Sequence, residues 1–86
     1  MMPREIAETP AFSEAADRFR EVYSLFDKVL EGLRWELGKN PTIGDQLEED
    51  PEYYIFRTTA TGRTPSFVVF YSFHETQIQL LSINIH

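Results

Sequence analysis

The C-terminal part of the sequence contains three short runs typical of β-strands, separated only by turn residues. They are residues 53–59 (YYIFRTT), 66–73 (SFVVFYSF) and 76–85 (TQIQLLSINI). Residues 10–38 have apolar side chains at gaps of three and four, the spacing of helices that bury one side. Helices followed by a strand meander predict an α+β domain, with the helices packed on one face of a small, mainly antiparallel sheet.

Length and composition restrict the class of protein. Eighty-six residues predict one domain spanning 1–86, because chains usually divide only beyond roughly 200 residues. The absence of cysteine excludes disulfides and thiolate metal sites. No stretch approaches the roughly 18 apolar residues that span a bilayer, and charges interrupt the N-terminus where a signal peptide is apolar. The sequence therefore predicts a cytoplasmic protein with no membrane partner.

The net charge of −6 is unevenly distributed along the chain. Residues 1–52 contain six Lys or Arg against thirteen Asp or Glu, whereas residues 53–86 contain Arg57 and Arg63 against Glu75. An acidic helical half disfavours general nucleic-acid binding, which usually depends on a basic surface. In the strand half, the two arginines are the cations that a phosphate could meet.

The start of the helical region has clear local signals. Residues 4–8 (REIAE) have only a weak strand signal. Thr9 is the expected N-cap of the first helix, and Pro10 is expected at the first helical position, where its missing N–H costs nothing.

The helical stripe can belong to one helix or to two. Capping-box spacing at Ser24 favours a helical hairpin of residues 10–22 and 25–37, with one continuous helix as the alternative. Gly38 is expected as the C′ residue that ends the second helix. Residues 39–52 then form a loop.

Three features of the later chain add detail. In the loop, Ile43 and Leu47 are the expected anchors onto the core. Residues 66–73 are nearly all apolar, which predicts a central strand. In the last run the apolar positions change face, which predicts either a β-bulge near Leu80 and Leu81 or an end of the strand that is buried on a different face.

This order of elements resembles the RelE/ParE superfamily of type II toxin–antitoxin toxins, which includes plasmid stabilisation proteins. The matching segments are ETPAF, GKNPTIGDQL and the three strand runs. In that family an Asn-Pro or Ser-Pro loop followed by Gly and Leu precedes the second strand, and a tyrosine lies late in the third. Asn40, Pro41, Gly44, Leu47 and Tyr71 occupy those places here. The resemblance implies a β-α-α-β-β-β fold.

The resemblance also implies a function. Members of this family inhibit growth and are neutralised by a cognate antitoxin protein. RelE-like members are metal-independent endoribonucleases that cut mRNA in the ribosomal A site, and ParE-like members poison DNA gyrase. No cofactor or metal is expected, and the acidic run of residues 45–52 lacks EF-hand ligand spacing. The alternative is a non-catalytic protein-interaction domain of the same fold, a degenerate toxin.

The chain departs from the RelE branch at its catalytic positions. Where that branch has lysines on the second strand, this chain has Tyr54 and Phe56, and Val68 replaces an early arginine of the third. The last arginine and tyrosine of the branch lie beyond its fourth strand, past the position of His86. The sequence therefore leaves enzymatic activity open.

If ribonuclease activity is retained, the candidate catalytic residues are Arg57, Arg63, Tyr71 and His74. The arginines would stabilise phosphate charge as planar donors, and His74 would transfer protons because imidazole titrates near pH ~6.5. Tyr71 would stack on a base or donate its hydroxyl. The structural alternatives are an ion pair of Arg57 with carboxylates of residues 48–52, solvated Arg63 and His74, and ordinary packing of Tyr71.

Two further surfaces are candidates for protein contacts. Trp35 lies off the apolar stripe, so it is either an exposed partner contact or packs against the loop at 39–47. If the strand at 78–85 is an uncovered edge, pairing with a second copy would give a homo-oligomer.

Overall fold

The computed structural model describes residues 5–86 and shows an α+β fold. Within these residues the chain forms two helices and a five-stranded sheet. In chain order the elements are β1 (Glu5–Glu8), α1 (Pro10–Val22), α2 (Phe26–Lys39), β2 (Asp45–Gln46), β3 (Tyr53–Arg57), β4 (Phe67–His74) and β5 (Gln77–Ile85). The expected order of elements is confirmed, with the short β2 as an addition inside the expected loop. Arg4 of the expected first strand lies outside the described residues.

The sheet is mixed, with strand order β1-β5-β4-β3-β2. β1 pairs with β5 in parallel, and the other three pairs are antiparallel. β4 lies in the middle, between β5 and β3, so the expectation of a central strand is confirmed. No helix among residues 5–86 is long and apolar enough to cross a membrane.

The helices cover one face of the sheet, called here the helix-facing side. On β4 this side carries Phe67, Val69 and Tyr71, which are fully buried. The alternate residues of β4 point to the other side, called here the open face; Val68, Phe70 and Ser72 are half-buried, and His74 is exposed. The residues buried in the core are Phe12, Ala15, Ala16, Phe26, Leu30, Leu33, Leu37, Tyr54, Phe67, Val69, Tyr71, Ile78, Leu80 and Ile83.

An aromatic cluster joins the helical hairpin to the sheet. The ring of Phe67 on β4 lies 5.0 Å from that of Phe19 on α1 and 5.2 Å from that of Phe26 on α2, measured between centroids. Tyr23, between the helices, approaches Phe67 edge-on at 5.9 Å. Such tilted pairs add to the stabilisation from apolar burial. The chain must turn between residues 22 and 26 to bring both helices onto Phe67, so the helical hairpin is confirmed over one continuous helix.

The limits of α2 differ from the sequence-based prediction at both ends. Ser24 does not cap α2: the N-cap is Leu25, which makes no side-chain hydrogen bond. The helix starts later because the amide of Phe26 bonds the carbonyl of Tyr23 in the tight turn between the helices. Gly38 is not the C′ residue, because α2 continues to Lys39.

The sheet contains the expected bulge. Phe70 pairs with Ser82, and Tyr71 pairs with Leu80, so Leu81 is the extra residue on β5. The bulge changes the phase of β5 and allows both Leu80 and Ile83 to be buried on the helix-facing side.

Thr9 connects the start of α1 to this bulge. Its hydroxyl accepts a hydrogen bond from the amide of Phe12 at 3.2 Å, as an N-cap does, and donates to the carbonyl of Leu81 at 3.0 Å. Its backbone amide donates to the carbonyl of Leu80 at 3.0 Å. One threonine therefore fixes both the N-terminus of α1 and its position along β5.

The loop after α2 corrects one expectation, and the pairing of β5 limits another. Ile43 is 39% exposed and does not anchor the loop, whereas Leu47 is half-buried and its amide bonds the carbonyl of Tyr53. β1 pairs with the outer side of β5 only from Gln77 to Leu80, so within residues 5–86 no strand covers that edge from Leu81 to Ile85, and pairing with a second copy stays a prediction.

We expect Thr9→Ala to lower the free energy of unfolding by about 1–2 kcal/mol, because the N-cap bond and the bond to the bulge are both lost. Urea unfolding followed by circular dichroism measures this difference. Ser24→Ala is the matched control and should change stability by less than about 0.5 kcal/mol, since Ser24 caps nothing. Equal losses in the two variants would contradict the role given to Thr9.

Candidate functional site

Tyr71 is buried between α2 and the sheet. Its side chain is 0% exposed, and its ring stacks on that of Tyr54 at 5.3 Å. Its hydroxyl donates a hydrogen bond to the carbonyl of Pro41 at 2.8 Å and accepts one from the amide of Gly44 at 3.1 Å. Burial raises the pKa of Tyr71, and the bond from Gly44 partly opposes that shift. In this structure Tyr71 ties the loop after α2 to the centre of the sheet.

Gly44 fits this position because it has no side chain. A Cβ atom there would lie 2.8 Å from the carbonyl oxygen of Ile55 and 2.9 Å from the hydroxyl of Tyr71. Any larger residue would displace the backbone of β3 or break the tyrosine bonds. Pro41, Gly44 and Tyr71, three of the five residues named for the family resemblance, therefore meet at one point in the fold.

Arg57 lies at the end of β3, away from Tyr71. Its Nη1 is 3.3 Å from Oδ2 of Asp45, and its Nε donates to Nε2 of His86 at 3.4 Å. The side chain is 52% exposed, so these contacts are surface contacts. The prediction that Arg57 pairs with a carboxylate of residues 48–52 is therefore wrong. Its partner is Asp45, which the pairing of β2 with β3 places opposite Ile55.

The open face of the sheet is mainly apolar beside Arg57. Tyr53 and Phe70 stack there at 5.5 Å, with Ile55 and Val68 next to them in register. Arg57 is the one Lys or Arg in any strand of residues 5–86. The open face therefore has one strand cation near which a phosphate could bind.

The two residues at the positions where the resemblance would place lysines do not point to this face. Tyr54 pairs with Tyr71, and Phe56 pairs with Val69, both of which lie on the helix-facing side. Tyr54 is buried, and Phe56 packs against the core. These two positions are therefore part of the hydrophobic core.

The other candidate residues lie apart from Arg57. Arg63 is exposed in the loop between β3 and β4, next to Gly62, whose φ of +57° suits the turn bridged by Thr61 and Thr64. This local turn determines the path of the loop and leaves the side chain of Arg63 exposed to solvent.

His74 occupies the far end of β4. It is six positions along the strand from Val68, the partner of Arg57, which corresponds to roughly 20 Å. Its ring nitrogens are 3.7 Å from Glu52 and 3.8 Å from Glu75, and all three side chains are exposed. Arg57, Arg63, Tyr71 and His74 therefore do not converge on one site in this structure.

A groove of about 430 Å³ lies between α2 and the end of β3, and it is called here the α2–β3 groove. Leu25 and Trp35 border it from the helix and are 40% and 63% exposed, and Phe56 borders it from the sheet. Gly32 forms part of its floor, where a Cβ would meet nothing within 4 Å. Trp35 is thus exposed, with the Lys39 ammonium 3.8 Å from its ring centroid.

The sequence predicted Trp35 as a candidate partner contact, but it did not predict the groove that Trp35 borders. A glycine inside a helix is unfavourable by roughly 1 kcal/mol relative to alanine, so Gly32 was the available signal. Nothing in the sequence marks Asp45 as the partner of Arg57, because their contact depends on the pairing of β2 with β3.

Comparison with known proteins gives no family assignment. No model of a known protein family matches the chain, and no curated protein matches its sequence. Within residues 5–86 no three His, Asp or Glu side chains are grouped so that they could hold a metal ion. A function must therefore be argued from the geometry of the groove, the open face and the Tyr71 contacts.

We expect Tyr71→Phe to lower the free energy of unfolding by about 1–3 kcal/mol, because the Pro41 carbonyl and the Gly44 amide lose a buried partner. Chemical denaturation measures the change. Tyr53→Phe, on the open face, is the control and should stay within about 0.5 kcal/mol of the parent chain. A Tyr71→Phe variant as stable as the control would contradict the role of the hydroxyl.

The pH dependence of stability gives a separate test. Because the pKa of Tyr71 is raised on folding, the folded state resists ionisation of the hydroxyl. The resulting stabilisation is complete below the unfolded pKa of about 10 and is lost as pH rises through the higher folded pKa. Denaturation midpoints above pH ~10 should therefore fall less steeply in Tyr71→Phe than in the parent chain. Parallel slopes would show that Tyr71 does not contribute.

Proposed function

We propose that this chain is a toxin-like component of a RelE/ParE-type toxin–antitoxin module and that it acts by binding proteins. The observation that carries the proposal is the α2–β3 groove, where Trp35 is 63% exposed beside the apolar side chains of Leu25 and Phe56. Exposed aromatic residues at the rim of a pocket are typical anchors of protein interfaces. An antitoxin-like protein is the first expected partner, and the cytoplasm is the expected location.

The position of the family-type residues supports this proposal. Pro41, Gly44 and Tyr71 contact one another and determine where the chain runs after α2. That segment leads into β2 at the edge of the sheet. These three residues of the resemblance therefore share a structural role, which is to attach the segment after α2 to the sheet.

The distribution of cations favours binding over catalysis. Cleavage of RNA without metal needs several donors near one phosphate and a group that moves protons. Arg57 and Arg63 lie in different segments, His74 lies at the other end of β4, and the Tyr71 hydroxyl is buried. A non-catalytic partner-binding role, including binding to DNA gyrase, fits this arrangement better than an intact ribonuclease site.

A ribonuclease is the second candidate, and one observation favours it. The Nε of Arg57 and the Nε2 of His86 are 3.4 Å apart on the open face, so a planar cation and an imidazole are adjacent. Together they could stabilise phosphate charge and transfer a proton. In that case the target is mRNA on the ribosome.

Regulated induction of the chain in its host, without neighbouring genes, separates the two candidates. For a protein-binding toxin we expect the viable count to fall while the rate of protein synthesis is at first unchanged. The Arg57→Ala/Arg63→Ala variant should behave like the parent chain, because the Arg57 side chain lies on the open face, where it contacts Asp45 and His86, and Arg63 does not border the groove. Trp35→Ala should relieve growth inhibition, because it removes the exposed aromatic of the groove.

The controls decide between outcomes. All variants must first show parental stability and expression. An early fall in protein synthesis that disappears in the double arginine variant would overturn the binding proposal and support the ribonuclease. Normal growth with the parent chain would leave one form of the proposal, a degenerate and non-toxic interaction domain. Co-purification with the product of an adjoining gene would then be required to support that form.

A further inference from the structure

We propose that two copies of this chain pair, antiparallel, through the outer edge of β5, with Asn84 of each copy at the two-fold axis. The pairing joins the two sheets into one continuous sheet. β5 lies on the β1 side of the sheet, whereas the α2–β3 groove lies at β3. The proposal therefore concerns a second surface and stands independently of the proposed function.

The outer edge of β5 is free beyond the β-bulge. β1 pairs with it only from Gln77 to Leu80, and no strand among residues 5–86 pairs with the outer side of residues 81–85. After the bulge at Leu81, residues 82–85 pair with β4 in regular register. They therefore form a straight strand edge, whose outward N–H and C=O groups a further strand can bond.

This free edge has no charge, unlike the other exposed edges of the sheet. β1 carries Glu5 and Glu8, β2 carries Asp45, and β3 ends at Arg57. Residues 81–85 (LSINI) contain neither a charge nor a proline, although 26% of the chain is charged. Charged residues and proline are the usual means by which proteins keep strand edges apart. The free edge of β5 lacks both.

The unpaired backbone groups belong to Ile83 and Ile85. The amide of His86 donates to the carbonyl of Ser66 at 3.0 Å, so His86 bonds inward, next to β4. Because the direction of bonding alternates along a strand, Asn84 also bonds inward. Ile83 and Ile85 therefore direct their N–H and C=O groups outward.

These groups define one symmetric register. With Asn84 opposite its own copy, Ile83 lies opposite Ile85 of the second copy, and each such pair exchanges two backbone hydrogen bonds. A register centred on Ile83 would instead use the carbonyl of Leu81, which already accepts from the Thr9 hydroxyl at 3.0 Å. The register centred on Asn84 therefore satisfies the outward groups of both isoleucines and leaves the cap of α1 intact.

A second copy would also bury apolar side chains beside the edge. Ile85 is 49% exposed and lies on the helix-facing side, as does Phe67, its partner on β4. In the symmetric register its side chain packs against Ile83 of the second copy. Val22 is 69% exposed and lies at the same end of the molecule, because Phe19, one turn earlier on α1, contacts Phe67.

α1 leaves room for a second copy next to β5. Arg20 on α1 bonds Asp27 on α2, so the opposite side of α1 faces away from α2, toward the free edge. That side carries Ala11 and Ala15, whose small side chains allow the helix of a second copy to approach.

The exposed charges of α1 suit an antiparallel copy of the same helix. Glu14, Arg18 and Glu21 alternate in sign, and none of them forms an ion pair within the described part of the chain. Two-fold symmetry reverses their order in the second copy, so a carboxylate of one copy can lie opposite Arg18 of the other. This complementarity favours a second copy as the occupant of the edge.

Analytical ultracentrifugation of the full chain tests whether the pair forms. The chain has a mass of 10.1 kDa. We expect the weight-average mass to rise toward twice this value between about 10 µM and 1 mM, because association depends on protomer concentration. A constant monomer mass over this range would overturn the proposal. A mass that rises beyond that of a dimer would exclude a closed two-fold pair.

Single cysteines test the register, since the sequence contains no cysteine. Asn84→Cys places two thiols at directly opposite, non-hydrogen-bonded positions, with Cα atoms about 4.5 Å apart, which suits a disulfide. Ser82→Cys is the matched control on the same face. Its two copies would lie four positions apart, roughly 13 Å along the strands.

Under mild oxidation we expect a covalent dimer from Asn84→Cys and at least about tenfold less from Ser82→Cys, because only the first pair meets disulfide geometry. Equal yields, or a higher yield from Ser82→Cys, would overturn the register.

Non-covalent variants assign the contact to the edge. Asn84→Asp should weaken the dimer by at least about fivefold, because like charges directly opposite destabilise a strand pair. Gln79→Glu changes the net charge equally, but β1 covers β5 at that position, so dimerisation should be unchanged. Ile85→Pro removes an outward N–H, which an edge strand tolerates, and should also weaken the dimer.

Circular dichroism must first show the parental fold for each variant. A dimer that survives both Asn84→Asp and Ile85→Pro would contradict pairing through β5. Because none of these measurements uses growth inhibition or the groove, their failure would leave the proposed function untouched.

Discussion

The two hydrogen bonds of the Tyr71 hydroxyl determine how the helical half of the chain is attached to the strand half. The hydroxyl donates to Pro41 and accepts from Gly44, both in the segment that leaves α2. Because these bonds are buried, they fix where that segment lies against β3, and they place β2 at the sheet edge. The C-terminal end of α2 is therefore held against the sheet by this attachment.

The sheet presents two sides with different chemistry. The helix-facing side is filled by aliphatic and aromatic side chains, with Phe67 at the contact of both helices. The open face has a stacked pair, Tyr53 and Phe70, and Arg57 at one end. Arg57 is the one Lys or Arg in the described strands, whereas the groove presents exposed apolar side chains. This difference favours recognition of a protein over cleavage of a nucleic acid.

Sequence patterns predicted those parts of the fold that depend on neighbours along the chain. The spacing of apolar residues gave both helices, Thr9 and Pro10 gave the start of α1, and the change of phase near Leu81 gave the bulge. In each case the physical cause lies within a few residues, as amphipathic burial, capping or strand alternation.

The remaining features depend on contacts between distant segments. Ser24 does not cap α2, because the chain makes a tight turn from Tyr23 to Phe26 that brings both helices onto Phe67. Tyr71 was a candidate for chemistry, yet its hydroxyl bonds Pro41, thirty positions away. The groove could not be derived either, because it requires the relative position of α2 and β3.

The central claim is that a partner protein binds in the α2–β3 groove, and site-specific photo-crosslinking in cells tests it most directly. A photoreactive phenylalanine derivative would replace Trp35 in the groove or Phe70 on the open face, with co-expression of the products of adjoining genes. The account predicts a covalent adduct of one defined protein from position 35 and none from position 70. Adducts from position 70 with none from position 35 would contradict it.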